Sequence, residues 1–581
     1  MKAPKKSLFV ALTLILLATL ISCSTPMPQV VKETVKETVV VKETVKETVI
    51  VEGTPKVIEK VVTATPLPGE QAKYGGKLVY AINAEGDTLD PAAMVWGVEG
   101  IVAQQIYEPL VFYSEDFELV PWLAEKWEMS DDYKEWTFYL REGIKFHDGT
   151  PFNAQAVADV YKRYLEPGVA TGGVLQYFGP GKFEGAEVVD EYTVKLVFKE
   201  PQPNLLLNFY APMTSAMPSP TAAEKWGEEF GQHPVGTGPF IFKEWVRGDH
   251  ITLVRNPDYS WAPQELFDHQ GPAYLEEIEI RFITEPQTRL VALETGEADL
   301  IDRMPFQDVN RLEEDPRFQV LSNWMPGMAG QMGFLNCTKA PTDELLVRQA
   351  VNYAANQDQM NELAYFNTML PSYGPYTANL PEFNPKMQSL FPFDPEKAKA
   401  LLEEAGWVDT DGDGIREKDG EQLSISIANQ QGWSEWVEVL QANLQVVGFD
   451  ATLEEVTGSA YAEGMARGEW NVSAMGAIFV DVGRLYTWFH SSNFSKGMAG
   501  AGNCQNDHLD ELLEKLQGTP PSDERTQMAY EIQEIIMDEA MMVPAVSYFF
   551  HTGLESNVKG HKSDATTWYH LFYDVYFEGD K

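Results

Sequence analysis

A single apolar run, Leu8 to Ile21, stands near the start of the chain. No later run in the 581 residues is long and apolar enough to cross a bilayer. Lys2, Lys5 and Lys6 precede it. The run falls short of the about 20 residues a spanning helix needs, so it reads as an export signal rather than a membrane span. It ends in Leu20-Ile21-Ser22-Cys23, the order of a bacterial lipobox, cut before the cysteine and lipidated on its thiol. Residues 1–22 are therefore expected to be a signal peptide and Cys23 the site of lipidation. Two or more acyl chains give stable anchoring where one gives only marginal binding. The rest of the chain is then expected to fold outside the cytoplasm, held to the outer face of the membrane by the lipid alone.

Residues 23–72 come next as a low-complexity tether. Val30–Val39 reads VVKETVKETV and Val40–Val49 repeats it letter for letter. From Cys23 to Pro68 there are six lysines and six glutamates, with prolines at 26, 28, 55, 66 and 68, no aromatic residue, and only Met27, Ile50, Ile58 and Leu67 as hydrophobes larger than Val. Such a segment cannot bury a core, and it is expected to be flexible or partly extended, reaching roughly 150 Å at full stretch. A coiled coil is the weaker alternative, because Val at four-residue steps beside β-branched Thr is a poor heptad.

Of 44 basic and 87 acidic residues, 35 and 81 fall on residues 69–581, so the net acidity belongs to the body. A nucleic-acid surface needs clustered Lys and Arg, and anionic headgroups would repel this charge, so neither is an expected partner. The body is rich enough in apolar and aromatic residues for large cores, and three cysteines exclude a small disulfide-stapled scaffold. Cys337 and Cys504 remain once Cys23 is lipidated; they are expected either to pair or to stay buried as free thiols.

The body reads as mixed α/β. Lys77–Ile82, Thr193–Phe198, Ile251–Asn256 and Glu277–Ile283 alternate or cluster apolar residues as strands do. A helix is expected from Asp394 as N-cap, with Pro395 in its first turn, Ala398, Leu401, Leu402 and Ala405 on one face, and Gly406 as its stop. Others are expected from about Ser434 to Val447, with Trp436 in the apolar stripe, and near Asp343–Ala355.

The search for catalytic chemistry is negative. There is no G-x-S-x-G, H-E-x-x-H, Walker A or C-x-x-C motif. No enzyme activity and no cofactor are expected. The one metal-like pattern is Asp409-Thr410-Asp411-Gly412-Asp413-Gly414. Its alternating carboxylates match the first half of an EF-hand loop, with Asp409, Asp411 and Asp413 as calcium ligands. Gly420 stands where the loop's bidentate Glu belongs, so a polar Asp/Gly turn is the competing reading.

Several segments then occur in one order along residues 74–581: Thr88-Leu89-Asp90-Pro91; Ile106-Tyr107-Glu108-Pro109-Leu110; Pro121-Trp122-Leu123-Ala124-Glu125; Phe138 to Pro151; Gly236-Thr237-Gly238-Pro239-Phe240; Arg255-Asn256-Pro257-Asp258-Tyr259; Val347-Arg348-Gln349-Ala350; and Asp394-Pro395-Glu396-Lys397-Ala398. In these the body resembles the family 5 solute-binding proteins of bacterial ABC importers, the peptide/nickel class. The resemblance implies a two-lobed α/β periplasmic-binding-protein-like fold of class II, with a hinge and an interlobe cleft. It implies a discontinuous first lobe (73–107, 191–328 and 549–581), an inserted accessory domain (108–190) and a second lobe (329–548). It further implies a monomer that captures a ligand and delivers it to permease subunits in the membrane.

An oligopeptide is the expected ligand. An extended peptide pairs its backbone with strand edges whatever its side chains, and the family places a carboxylate for the terminal ammonium in a W-x-x-D-like segment of the second lobe. The matching segment here is Ile478-Phe479-Val480-Asp481, with Ile in place of Trp. Trp96 and Gly97, Trp433, Tyr461, Phe479, Asp481 and Tyr548 are the expected cleft residues by position. An oligosaccharide is the alternative, because Gly432-Trp433-Ser434-Glu435-Trp436 resembles a segment of sugar-binding members and a Trp face stacks on sugar rings.

Overall fold

The computed structural model describes residues 41–579 apart from 52–53, 65–72, 95–96, 171–173, 175–177, 179–180, 210–211, 431–433, 497–499, 501, 548 and 567. The signal peptide, Cys23, Trp96, Trp433 and Tyr548 lie outside the described residues. The chain divides into two compact units, residues 1–65 and 66–581.

In the first unit, Val41–Val51 and Thr54–Ala64 form an antiparallel hairpin, running from Val41 opposite Ala64 to Val51 opposite Thr54. A flexible or partly extended tether was the expectation from sequence. The Val- and Thr-rich repeat that denies this segment a core also favours extended pairing, because β-branched residues suit a pleated ladder.

The body opens on strand β1 (Lys77–Ile82). Four strands come after it: β2 (Ala124–Met129), β3 (Glu135–Leu140), β4 (Phe183–Asp190) and β5 (Thr193–Phe198). Next come β6 (Phe240–Val246), β7 (His250–Arg255), β8 (Glu277–Phe282), β9 (Leu300–Ile301) and β10 (Phe318–Trp324). Then come β11 (Gly327–Leu335), β12 (Leu370–Pro371), β13 (Ser424–Gln430), β14 (Asp450–Val456), β15 (Val472–Ile478) and β16 (Met542–Ser547). The last long strand is β17 (Phe549–Glu555).

Three sheets organise these strands. The first-lobe sheet has the order β6-β7-β8-β1-β9-β17-β10, with β1 parallel to both β8 and β9. The second-lobe sheet has the order β12-β16-β11-β15-β13-β14, with β13 parallel to β14 and β15. A four-stranded antiparallel sheet, β2-β3-β5-β4, forms the insertion. It takes in Thr193–Phe198, past the boundary drawn at residue 190, because β4 and β5 are the arms of one hairpin.

Local sequence rules explain the helices. Asp394 accepts a hydrogen bond from the Lys397 amide and caps Pro395–Glu404, which buries Ala398, Leu401 and Leu402. Gly406 lies just beyond with φ +88, a conformation glycine adopts without strain. Trp436–Val446 begins two residues later than its expected start, and Leu345–Ala354 forms within the expected span, burying Val347, Ala350, Val351 and Ala354. Trp436 is wholly buried, its indole N–H donating to Gln331 Oε1 at 3.1 Å. Among the described residues no helix is long and apolar enough to cross a membrane.

Candidate functional site

The chain passes between the two large sheets twice, from β10 into β11 and from β16 into β17. The passages are neighbours: Trp324 pairs with Phe549, their rings stacked with centroids 5.9 Å apart. At the first passage Gly327 has φ +135, and a Cβ there would stand 2.4 Å from the Ala477 carbonyl oxygen and 2.7 Å from the Phe479 amide. Its own amide donates to Thr377 Oγ1 at 3.0 Å, and its carbonyl accepts from the Thr377 amide at 2.9 Å. Only glycine fits this crossing.

Strand direction then places the cleft. β17 starts at the crossing and runs antiparallel to β9, with Ile301 opposite Gly553, so β9 and its parallel neighbour β1 end on the crossing side. β15 ends with Ile478 opposite Gly327, so β13 and β15 also end there. In open α/β sheets ligands bind beyond the carboxyl ends of parallel strands. Both lobes present those ends to the same region.

On the second-lobe wall, Asp481 lies just past β15 and caps the short turn Val482–Arg484. Its Oδ1 accepts from the Gly483 amide at 2.9 Å and from Arg525 Nη2. Arg525 is 1% exposed and also donates to Glu382 Oε1 at 2.8 Å. Burial holds the Glu382 carboxyl above its ordinary range, with the Asp481 charge adding to it and Arg525 opposing it. One guanidinium against two carboxylates leaves the cluster with an excess negative charge. Tyr113, from the inserted segment, and Ala565, from the first lobe, pack among second-lobe core residues. The Tyr113 phenol is pushed up to about 12, by burial first and then by the charges of Glu382 and Asp481. The Asp481 cluster therefore lies where the two lobes approach.

On the first-lobe wall, Gly97 begins the helix Gly97–Ile106, and a Cβ there would stand 2.4 Å from the Trp568 ring. Phe550 meets Trp568 edge-to-face at 5.2 Å. The Arg303 guanidinium lies over Phe550, 4.2 Å from the ring centroid.

The other expected residues fall in different places. Phe479 is fully buried between Tyr376 and Trp488, at 6.0 and 5.5 Å, and backs the Asp481 turn. Tyr461 is 1% exposed, stacks on Trp470 at 5.7 Å and spends its hydroxyl on the Ala474 carbonyl, which makes it part of the lobe core. Cys337 and Cys504 form a disulfide, Cα atoms 4.9 Å apart. Asp409, Asp411 and Asp413 gather with Glu417, the four offering oxygens within 4.8 Å of one another. Their carboxylates also accept the loop's own amides, Asp409 from Gly412 at 2.7 Å and Asp413 from Ile415 at 2.8 Å, as an Asp/Gly turn requires.

Sequence reasoning missed Arg525, Glu382, Tyr113 and Arg303. Arg525 carried a signal: it lies on the same helical stripe as Met528, Ala529, Ile532 and Ile536, where a cation has to find a buried partner.

Comparison with known proteins agrees with the two-lobed fold. A family model described as bacterial extracellular solute-binding proteins, family 5 middle, matches residues 118–496. The glutathione-binding protein GsiB of Shigella flexneri is 29% identical over 519 residues, covering 87% of this chain and 94% of the relative. Among solved structures, the periplasmic binding protein DppA of Helicobacter pylori, in complex with the peptide STSA, is 27% identical with TM-score 0.70, over 88% of this chain and all of that one. NikA of Brucella suis, in complex with Fe(III)-EDTA, is 26% identical with TM-score 0.76, over 86% of this chain and all of that one.

Proposed function

The chain belongs to the bacterial extracellular solute-binding proteins of family 5, and on that premise we propose that its ligand is a short peptide held in the interlobe cleft by its terminal ammonium. Members of this family bind a solute outside the cytoplasm and deliver it to an ABC transporter; they carry out no chemistry on it. The observation that carries the peptide reading is the cluster at the end of β15. Asp481 is held in one orientation by Arg525 and the Gly483 amide, and the two carboxylates exceed the single guanidinium by one charge. An ammonium is the group that balances such a site, through charge-assisted hydrogen bonds. Closure results because a ligand touching both walls gains contacts only in the closed state.

Calorimetric titration tests this reading with pools of tri- and tetrapeptides, free and N-acetylated. Free peptides bind and acetylated ones bind at least about tenfold more weakly, and Asp481→Asn removes the difference. Equal binding of the two pools refutes the ammonium anchor. The oligosaccharide alternative rests on Trp433, which lies outside the described residues. Anchoring through Cys23 is part of the same proposal: Cys23→Ala releases the protein from the membrane fraction, and retention there contradicts it.

A further inference from the structure

Buried arginines in this body spend donors on the protein, although the Arg525 Nε is itself without a hydrogen-bond partner among the described residues. Arg289, 1% exposed, donates to the carbonyls of Ile283, Thr284, Asp302 and Arg303 at 2.6, 3.0, 2.9 and 3.1 Å. Arg348 and Arg416 bind carbonyls in the same way, and Arg525 binds two carboxylates. Arg303 is different. It comes just after β9, at the crossing end of the first-lobe sheet. Its side chain is 32% exposed, and among the described residues it donates no hydrogen bond. Its Nε is buried without a hydrogen-bond partner among the described residues; Asp302 Oδ2, 3.6 Å away, forms an ion pair with it but is too far for a hydrogen bond.

The backbone at this position is also unusual. Arg303 has φ +48, in the left-handed region that residues with a Cβ seldom occupy. Two contacts force it there: Arg289 grips its carbonyl, and the Met304 amide donates to the His551 carbonyl at 2.8 Å. A strained residue that its surroundings over-determine is a pointer to function. The turn lays the guanidinium over Phe550, 4.2 Å from the centroid, and near Trp568 at 5.4 Å. Stacking fixes the plane and leaves the N–H edge unspent. Trp568 Nε1 and Asn83 Oδ1, the latter just past the end of β1, are likewise buried without partners. Polar groups so placed at the end of parallel strands await a polar ligand.

We propose that Arg303 is the anchor for a carboxylate of the bound solute on the first-lobe wall, which makes the protein selective for peptides with a free carboxyl group. The proposal rests on the reading of the cleft as a peptide site. A guanidinium fork matches a carboxylate bidentately, which an ammonium cannot do. Selectivity arises from the charge of the rest of the body: with 81 carboxylates against 35 cations, an anionic group gains nothing from the general field and needs a local cation, which Arg303 supplies. Together with the excess negative charge at Asp481 on the other lobe, Arg303 gives the cleft the polarity of a zwitterion.

The test compares the protein with Arg303→Gly and Arg303→Lys. Glycine suits the positive φ, so Arg303→Gly keeps the ligand-free melting temperature or raises it, which separates folding from binding. The ligands are a peptide pool with free carboxyl ends, the same pool amidated, and neutral cello-, xylo- and malto-oligosaccharides. The free-acid pool is expected to bind the parent at least about thirty-fold more tightly than the amidated pool. Arg303→Gly loses that preference, and Arg303→Lys keeps part of it. Equal binding of the two pools, or an unchanged preference in Arg303→Gly, overturns the carboxylate anchor and leaves the peptide reading standing. Binding of sugars alone, or of nothing in the panel, overturns both.

Discussion

Replacing Arg525 by Met keeps the length of the side chain and removes its charge. The guanidinium is 1% exposed and serves Glu382 and Asp481, whose side chains are 14% and 10% exposed. At an effective dielectric of about 20, each contact near 4 Å is worth about 4 kcal/mol of attraction, offset by the desolvation of the charges. Removing one partner of a buried pair costs about 3–5 kcal/mol, because the other charge is stranded. Here two carboxylates are stranded together, so the upper half of that range is expected at neutral pH. Burial already raises the Glu382 carboxyl, and Arg525 opposes that rise, so without Arg525 it rises further. A carboxyl raised in the folded state stabilises the fold below its unfolded pKa, and that stability is lost as pH rises through the folded value. The cost of Arg525→Met therefore shrinks between pH 7 and about pH 4.5. Adding Glu382→Gln at neutral pH recovers part of it, since one stranded charge is gone. Urea unfolding monitored by tryptophan fluorescence at the two pH values reads both effects. A cost below about 1 kcal/mol at neutral pH, or the same cost at both, refutes the reasoning.

Three further outcomes rest on particular residues. Gly327→Ala places a methyl group 2.4 Å from the Ala477 oxygen; a loss of about 1–3 kcal/mol in unfolding free energy is expected, and an unchanged melting temperature contradicts the crossing geometry. Cys337 and Cys504 close a loop with sequence separation 167, so the double Ser variant is expected to lose up to about 5 kcal/mol on the chain-entropy model, seen as a lower urea midpoint that reductant no longer changes. Asp564 is wholly buried, and burial raises its carboxyl to about 7 against the hydrogen bonds it accepts from Thr566 and Tyr569. Its contribution to stability is full below the unfolded pKa and is lost as pH rises to about 7; Asp564→Asn flattens that slope, and a slope that survives the substitution refutes the assignment.

Local rules made much of the architecture legible. Asp394, Pro395 and Gly406 bound a helix by capping and φ preference alone, and the alternation in Lys77–Ile82 and Thr193–Phe198 marked strands correctly. The end of the insertion was not legible, because a hairpin turn and a domain boundary look alike in a single sequence. At the site, Asp481 was found by its position in a segment, but its partners were not. Arg525 and Glu382 lie 44 and 143 residues from their partners Asp481 and Arg525, and pairing over such separations leaves no local pattern. Arg303 was invisible for another reason: its significance lies in a backbone conformation and a stack on Phe550, neither of which composition records. Tyr461 was assigned by its position and went to the core, where its stack on Trp470 and its buried hydroxyl bond hold it.

The most direct test of the central claim is thermal unfolding of the protein with peptide pools and, separately, with cello-, xylo- and malto-oligosaccharides. A ligand at 100 times its dissociation constant stabilises the folded state by about 2.7 kcal/mol, a visible rise in melting temperature. The account requires that rise with peptides carrying both free termini. A rise with sugars alone, lost in Trp433→Ala, contradicts it and makes the cleft an oligosaccharide site.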